Sequence, residues 1–295
     1  MTGNSFNVRP VSRLFLFLLV SFICLLAGAA IVSIITMKGS TTVTLRLATV
    51  AQDIFMFILP AIVTAVMVTR RPATLLRIDS RYPWLTALLA VAGLLVAMPA
   101  MNALVAWNES LSLPASLAGV ETWMRNSETA AQVAINTLLG GTGIGDLITG
   151  VLIVGILAGF SEEIFFRGTL QRLLATSRNN DIDRTPPLTA HVAIWGTAIL
   201  FSAFHVQFFG FFPRLLLGAY FGYLLWWSRS LWVPVTVHAV NNSIVVIASW
   251  AQRAGYIEED MNKAGADNLA AVIISIALTI IIIAGLRKRA FHNKC

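Results

Sequence analysis

The chain has 295 residues, of which 57% are hydrophobic and only 12% are charged. Soluble domains carry about 25% charged residues, so this composition, with a mean hydropathy of +0.77, indicates an integral membrane protein. The formal net charge of +7 does not point to nucleic-acid binding, because the cations lie at the ends of apolar runs and form no clustered basic face. We therefore expect the lipid bilayer, and no nucleic acid, among its partners.

Eight apolar runs approach or exceed the roughly 20 residues that a helix needs to cross a bilayer. They are residues 14–36, 47–69, 84–107, 147–171, 188–208, 212–228, 231–250 and 268–286. Most Lys and Arg residues lie in connections on the side of the N-terminus, which the positive-inside rule places in the cytoplasm. The sequence thus predicts an all-α, polytopic membrane helix bundle of about eight spans, with both termini cytoplasmic. We expect it in the plasma membrane, which is the inner membrane of a bacterium.

The chain divides into three segments by the character of its apolar runs. Residues 1–145 hold the first three spans and an amphipathic outer connection, 108–146, that could lie on the membrane surface. Residues 146–250 hold four spans with polar residues inside them, and we predict this segment to be the functional core. Residues 251–295 hold the last span and a basic cytoplasmic tail.

Ionisable side chains at membrane depth are expensive and are functional candidates by default. Asp53, in the second run, fits a hydrogen bond that packs two helices together. The stretch GFSEEIFFRG is harder to explain in this way, because Glu163 and Arg167 lie four residues apart with the acid first, the favoured order for an ion pair. Glu162 is rotated by about 100° from Glu163, so it is left to face another group, and it could take a proton from water.

Two histidines lie within apolar runs and extend this pattern. His205 follows Phe201 by four residues and His238 precedes Asn242 by four, so each pair shares one helix face. Three different spans then offer a pair of carboxylates, a histidine, and a histidine with an amide. This set suits activation of water, either with Glu162 as general base and the histidines stabilising an oxyanion, or with the same side chains holding a metal.

The three motifs together resemble a known family. EEIFFRG fits the pattern EExxxR, FSAFH fits FxxxH, and HAVNN fits HxxxN. In this order, on successive spans, they resemble the CPBP intramembrane proteases, which include the CAAX prenyl endopeptidases and bacterial proteins related to abortive infection and bacteriocin immunity. The resemblance covers about residues 155–245. It implies an endopeptidase that hydrolyses a peptide bond near the membrane surface, in a peptide or membrane protein with or without a lipid attached.

The resemblance also implies roles for the motif residues. Glu162 would be the general base on the hydrolytic water, and Glu163 and Arg167 would support it. The other motif residues would bind the metal or the water and stabilise the tetrahedral oxyanion; they are His205, His238 and Asn242. The metal would be a divalent ion such as zinc on Glu162, His205 and His238, although a glutamate-activated water without a tightly held metal also fits the family.

Two other classes of protein compete with this interpretation. Gly143 to Asp146 match the GxGD signature of presenilin-like aspartyl proteases, whose chemistry needs a second membrane aspartate, and Asp53 is the only other aspartate within a predicted span. The second alternative is a non-catalytic membrane scaffold or immunity protein of the same fold.

The depth of His205 presents a difficulty. It falls about 25 Å into the fifth run at 1.5 Å per residue, whereas Glu162 and His238 fall in the inner half of the membrane. The three can meet only if the fifth helix begins well outside the membrane or if the turn at FFGFFPR lies inside it. We expect a combination of both.

Overall fold

The computed structural model describes residues 10–37, 39–175, 187–258, 261 and 263–292, and the secondary structure in these ranges is helical throughout. The long elements are α1 (Pro10–Thr36), α2 (Thr42–Val68), α3 (Trp84–Val96), α4 (Met98–Glu109), α5 (Ala118–Leu138), α6 (Ile144–Ala175), α7 (Pro187–Phe204), α8 (Phe211–Ser228), α9 (Trp232–Arg253) and α10 (Leu269–His292). The prediction of an all-α membrane bundle is confirmed.

The described helices offer fewer full spans than the eight predicted. Six are long and apolar enough to cross a membrane, and a seventh forms if α3 and α4, bent by 49°, count as one span. The bend falls at Pro99. Proline has no backbone N–H to donate, and its ring clashes with the preceding turn, so it kinks a helix. The predicted fifth span is the apolar helix Leu188–Phe204, which is shorter than the others. The division into three segments and the cytoplasmic termini stay predictions.

The outer connection forms the amphipathic helix α5, and none of its residues is buried. Trp123 of α5 contacts Phe208 with ring centroids 5.2 Å apart, and the Arg125 guanidinium lies 4.4 Å from the Phe209 ring centroid. The Glu128 carboxylate accepts a hydrogen bond from the Phe209 backbone N–H. Helix α5 therefore packs against the turn between α7 and α8.

Helices α7 and α8 form a closely packed antiparallel pair. Gly218 and Gly222, spaced as in the small-xxx-small pattern of membrane helices, let α8 approach its neighbours. A Cβ atom at Gly218 would lie 3.2 Å from the Ala198 Cα, and one at Gly222 would lie 2.9 Å from Ile194. Side chains larger than hydrogen would force this pair apart.

An aromatic cluster joins α1, α2, α6 and α7 beside the functional core. Its buried members are Phe17, Phe57, Phe165, Phe166, Leu170, Leu173 and Phe201. A second buried cluster joins α3, α8, α9 and α10 around Phe221, Leu224 and Val237. These two clusters flank the polar side chains of α6 and α9 and fix the position of the helices that carry them.

Candidate active site

Glu163, Arg167 and His238 form a buried network. Arg167 Nη1 donates a hydrogen bond to Glu163 Oε1 at 2.7 Å, and both side chains are 0% exposed. His238 Nδ1 lies 2.8 Å from the same Oε1 atom. Because a carboxylate oxygen only accepts, Nδ1 carries the proton, and Nε2 of His238 faces the opposite way. The ion pair expected from the spacing of Glu163 and Arg167 is present, and it also orients His238 of α9.

Arg167 is held by a polar contact and by aromatic faces. Nη2 donates to the Gly218 backbone carbonyl of α8 at 3.0 Å. The guanidinium lies 4.3 Å from the Phe201 ring centroid and 5.3 Å from that of Phe221, within the range of a cation–π contact. A buried cation is tolerated only when it is paired and hydrogen-bonded. The two Nη atoms meet that condition, whereas the buried Nε has no hydrogen-bond partner among the described residues.

Glu162 is not part of this network. Its Oε2 atom lies 3.9 Å from His238 Nε2, too far for a direct hydrogen bond but close enough for one water to contact both atoms. The Glu162 side chain is 15% exposed, and among the described residues its buried Oε2 has no hydrogen-bond partner. Glu163 Oε2 also lacks a partner there, so Glu162 differs from Glu163 in its partial exposure and in its distance from Arg167 and His238, and its role as general base stays a prediction.

His205 follows the last residue of α7 and turns its Nδ1 atom toward the helix backbone. Its Nδ1 lies 2.8 Å from the Phe201 carbonyl oxygen, which can only accept, so Nε2 is left for other partners. Glu162 and His238 are near enough to interact electrostatically with the His205 ring. The next residue, Val206, has a φ of 51°, a left-handed conformation that is rare for a β-branched residue and that turns the chain sharply after His205.

The relative level of α6 and α7 explains how His205 reaches this site. Ile194 of α7 and Gln171 of α6 line the same small cleft, and nearly the same number of residues separates Ile194 from His205 as separates Gln171 from Glu162. His205 and Glu162 therefore reach a similar depth. Helix α7 starts before this shared level, and where the membrane surface falls along it stays a prediction.

The Phe201 ring contacts both imidazoles of the site. Its centroid lies 5.1 Å from that of His205 and 5.8 Å from that of His238. His238 also stacks on Phe221, with centroids 4.8 Å apart and an interplanar angle of 20°. The first position of the FxxxH pattern thus supplies the ring against which Arg167 and both histidines pack.

Asn242 contacts the backbone of α6. Its Nδ2 donates to the Val154 carbonyl at 3.2 Å, and its Oδ1 accepts from Asn241 Nδ2 at 3.2 Å. Val154 lies in the π-helical turn Val151–Leu157, where the wider turn disrupts the usual backbone ladder. Asn242 therefore holds α9 against α6, and its predicted part in binding the water or the oxyanion stays a prediction.

Sequence reasoning missed a contact directly beside Glu162. Ser161 Oγ donates to Asp53 Oδ1 of α2 at 2.9 Å, and both residues are buried. This is the helix-packing hydrogen bond expected of Asp53, but its partner could not be chosen from the sequence. Asp53 opens a second π-helical turn, Asp53–Ile58, and Arg167 lies in a third, Ile164–Leu170. Such turns are frequent at functional sites.

The predicted metal ligands can be tested for fit. Glu162 and the Nε2 atoms of His205 and His238 are suitable donors, and ligating histidines commonly hold their other nitrogen in a hydrogen bond, as both do here. Their spacing does not suit one ion, since no group of three His, Cys, Asp or Glu side chains among the described residues is close enough to hold a metal. The metal stays a prediction, and we derive no chemical step through it.

The aspartates of the GxGD alternative lie apart. Asp146 forms an ion pair with Arg46 at 3.0 Å, at the start of α6. Asp53 bonds Ser161, which is on the order of 20 Å farther along that helix at 1.5 Å per residue. Two aspartates that share a proton must be in contact, so this alternative is wrong for the arrangement described.

The fold and the site define a class: a multi-pass, all-helical membrane protein that buries a Glu–Arg–His network beside a second glutamate. Residues 144–244 match the family described as Type II CAAX prenyl endopeptidase Rce1-like. This match, over about a third of the chain, supports the CPBP/CAAX protease family that the three motifs indicated. No curated protein and no solved structure matches the chain.

Proposed function

We propose that this chain is an intramembrane endopeptidase of the CAAX type, in which Glu162 activates the hydrolytic water. The observation that carries the proposal is the contrast between two adjacent carboxylates. Glu163 is fully buried and shared by Arg167 and His238. Glu162 is partly exposed and faces His238 Nε2 across a gap of 3.9 Å. One carboxylate orients the site, and the other is left for chemistry.

The proposed reaction needs only a water and the side chains of Glu162, His205 and His238. Glu162 takes a proton from the water while the water oxygen attacks the scissile carbonyl carbon. The carbonyl oxygen becomes an oxyanion, which His205 and His238 stabilise as imidazolium rings that carry a proton on Nε2 in addition to the one on Nδ1. The C–N bond then breaks, and Glu162 returns the proton to the leaving amine. The products are a new carboxylate and a new amine.

The substrate proposed is a peptide or membrane protein presented at the membrane surface, and the family match favours one with a lipidated C-terminal segment. The plasma membrane remains the proposed location. The second candidate is a non-catalytic scaffold or immunity protein. The buried network of Glu163, Arg167 and His238 would stabilise the fold of such a protein equally well. It differs in one respect: a scaffold has no use for the carboxylate of Glu162.

A comparison of membranes separates the two candidates without knowledge of the substrate. Cells would express the wild-type chain, the Glu162→Gln variant or, as a matched control, Glu109→Gln, which changes an exposed acid at the end of α4. Terminal-peptide proteomics should find new protein termini with the wild type and the control, and not with Glu162→Gln at equal membrane level. Identical termini in all three would overturn the proposal.

A further inference from the structure

A large cavity lies outside the candidate active site, between α3, α4, α7, α8 and α10. Its volume is about 690 Å³, within the range of about 300–1,000 Å³ typical of small-molecule sites. The walls at its apolar end include Leu94, Ala97, Leu216, Leu217 and Ile283. The walls formed by α3, α4 and α10 lie outside the region that matches the family. Their lining residues include Gly93, Met101, Thr279 and Arg287.

The basic residues of the cavity lining, two arginines and a histidine, lie at one end. Arg229, which follows α8, and Arg287 of α10 line that end. Beside them His191 Nδ1 lies 2.7 Å from the Tyr223 hydroxyl, and the Tyr223 ring stacks on Trp227 with centroids 5.2 Å apart. Aromatic residues that are apolar on one side and polar on the other are typical of the level of lipid headgroups.

The length of the cavity suits a lipid chain. Leu216 and Arg229 both line it, and the stretch of α8 between them is about 20 Å long at 1.5 Å per residue. Trp195 and Leu216, on neighbouring walls, are 40% and 44% exposed, so the cavity reaches the apolar surface of the bundle. The arginine end lies on the side that the distribution of Lys and Arg assigns to the cytoplasm, where the leaflet carries anionic lipids.

We propose that this cavity binds one anionic phospholipid of the cytoplasmic leaflet, with its phosphate at Arg229 and Arg287 and an acyl chain between α3–α4, α8 and α10. Charge complementarity selects the headgroup, because basic pockets between membrane helices on the cytoplasmic side bind anionic lipids. The apolar length selects a chain-bearing molecule over free phosphate. The bound lipid would fix α10 and the bent pair α3–α4 against α8, whose other face carries Gly218 and Phe221 of the candidate active site.

The test uses the full-length chain, purified in a mild detergent and stripped of lipid. Dioleoylphosphatidylglycerol or dioleoylphosphatidylcholine is added, and native mass spectrometry counts the lipid retained. We expect one phosphatidylglycerol per chain, bound at least about tenfold more tightly than phosphatidylcholine and not displaced by inorganic phosphate. Equal retention of the two lipids, or displacement by inorganic phosphate, would contradict the proposal.

Matched variants separate this cavity from general attraction to a basic tail. Arg287→Gln should weaken phosphatidylglycerol binding about tenfold, whereas Arg289→Gln, the same change on an exposed residue of the same helix that does not line the cavity, should leave binding unchanged. Ala97→Phe should fill the cavity and exclude the acyl chain while every charge is kept. If Ala97→Phe fails to fold, Leu217→Trp fills the same cavity from another wall.

Three results would overturn the assignment. Equal losses in Arg287→Gln and Arg289→Gln would show a diffuse surface effect. Full retention in a folded cavity-filling variant would place the lipid elsewhere. Displacement of phosphatidylglycerol by a farnesylated peptide would make the cavity a place for substrate instead of a membrane lipid. All three are readouts of binding, so they stand whether or not the proposed protease activity is found.

Discussion

Two adjacent glutamates differ because of the helices that pack against them. Glu163 faces α8 and α9. Helix α8 supplies the carbonyl that accepts a hydrogen bond from Arg167, and α9 places His238 Nδ1 2.8 Å from Glu163 Oε1. Glu162 points about 100° away on the same helix and has one buried oxygen without a partner among the described residues. Glu163 Oε2 also lacks a partner there, so the difference lies elsewhere: Glu163 is fully buried and held by Arg167 and His238, whereas Glu162 is partly exposed and has no such ion pair at hydrogen-bond distance. This is why we assign the chemistry to Glu162.

At the residue scale, the Ser161–Asp53 bond predicts an energetic link between α2 and α6. In a double-mutant cycle of Asp53→Ala and Ser161→Ala, the unfolding free energies should show a coupling of about 1 kcal/mol, since buried hydrogen bonds between membrane helices are of that order. Reversible unfolding in mixed detergent micelles gives the four values. Strictly additive effects would show that the two side chains do not bond.

The metal prediction is also decided at single residues. If Glu162, His205 and His238 hold a divalent ion, elemental analysis of the purified wild type should find it near one per chain and find none in His238→Ala. His191→Ala is the matched control, because His191 bonds Tyr223 and lies outside the site, and it should keep the ion. An active wild type that contains no metal would contradict the predicted ligands and favour the glutamate-activated water.

At the scale of elements, the close approach of α7 and α8 positions the acceptor of Arg167. A Cβ atom at Gly218 would lie 3.1 Å from Phe201 Cδ1, so Gly218→Val should move α8, lower the unfolding free energy by about 1–3 kcal/mol and reduce cleavage. Gly196→Val is the control on α7, since no atom lies within 4 Å of a Cβ there. Comparable loss of stability in both variants would show only a general intolerance of valine in these helices.

At the scale of the whole molecule, the membrane class, the helical spans and the Glu163–Arg167 pair could be predicted from the sequence, because composition and i,i+4 spacing determine them locally. Among the described residues six long apolar helices are present, or seven if the pair bent at a proline is one span, and the predicted fifth span is a shorter helix. The Asp53–Ser161 bond and the place of Phe201 could not be predicted, because they depend on which helices are neighbours.

The depth of His205 shows the same limit. Counting residues from the predicted start of each span places His205 deeper than Glu162, because the count assumes that α6 and α7 have their neighbouring ends at one level. Helix α7 starts before the level at which it meets α6, as the cleft shared by Ile194 and Gln171 indicates. The GxxxG spacing of Gly218 and Gly222 in the sequence is the local pattern that indicates the close packing of α8.

The central claim, that Glu162 activates water for peptide hydrolysis, is tested most directly with purified protein in lipid vesicles. The probe is an internally quenched, farnesylated peptide with a CAAX-type C-terminus, cleaved in ¹⁸O-water and analysed by mass spectrometry. We predict cleavage with ¹⁸O in the new carboxylate, and a rate at least about 100-fold lower for Glu162→Gln, as expected for loss of a general base. Cleavage by Glu162→Gln at the wild-type rate would contradict the account.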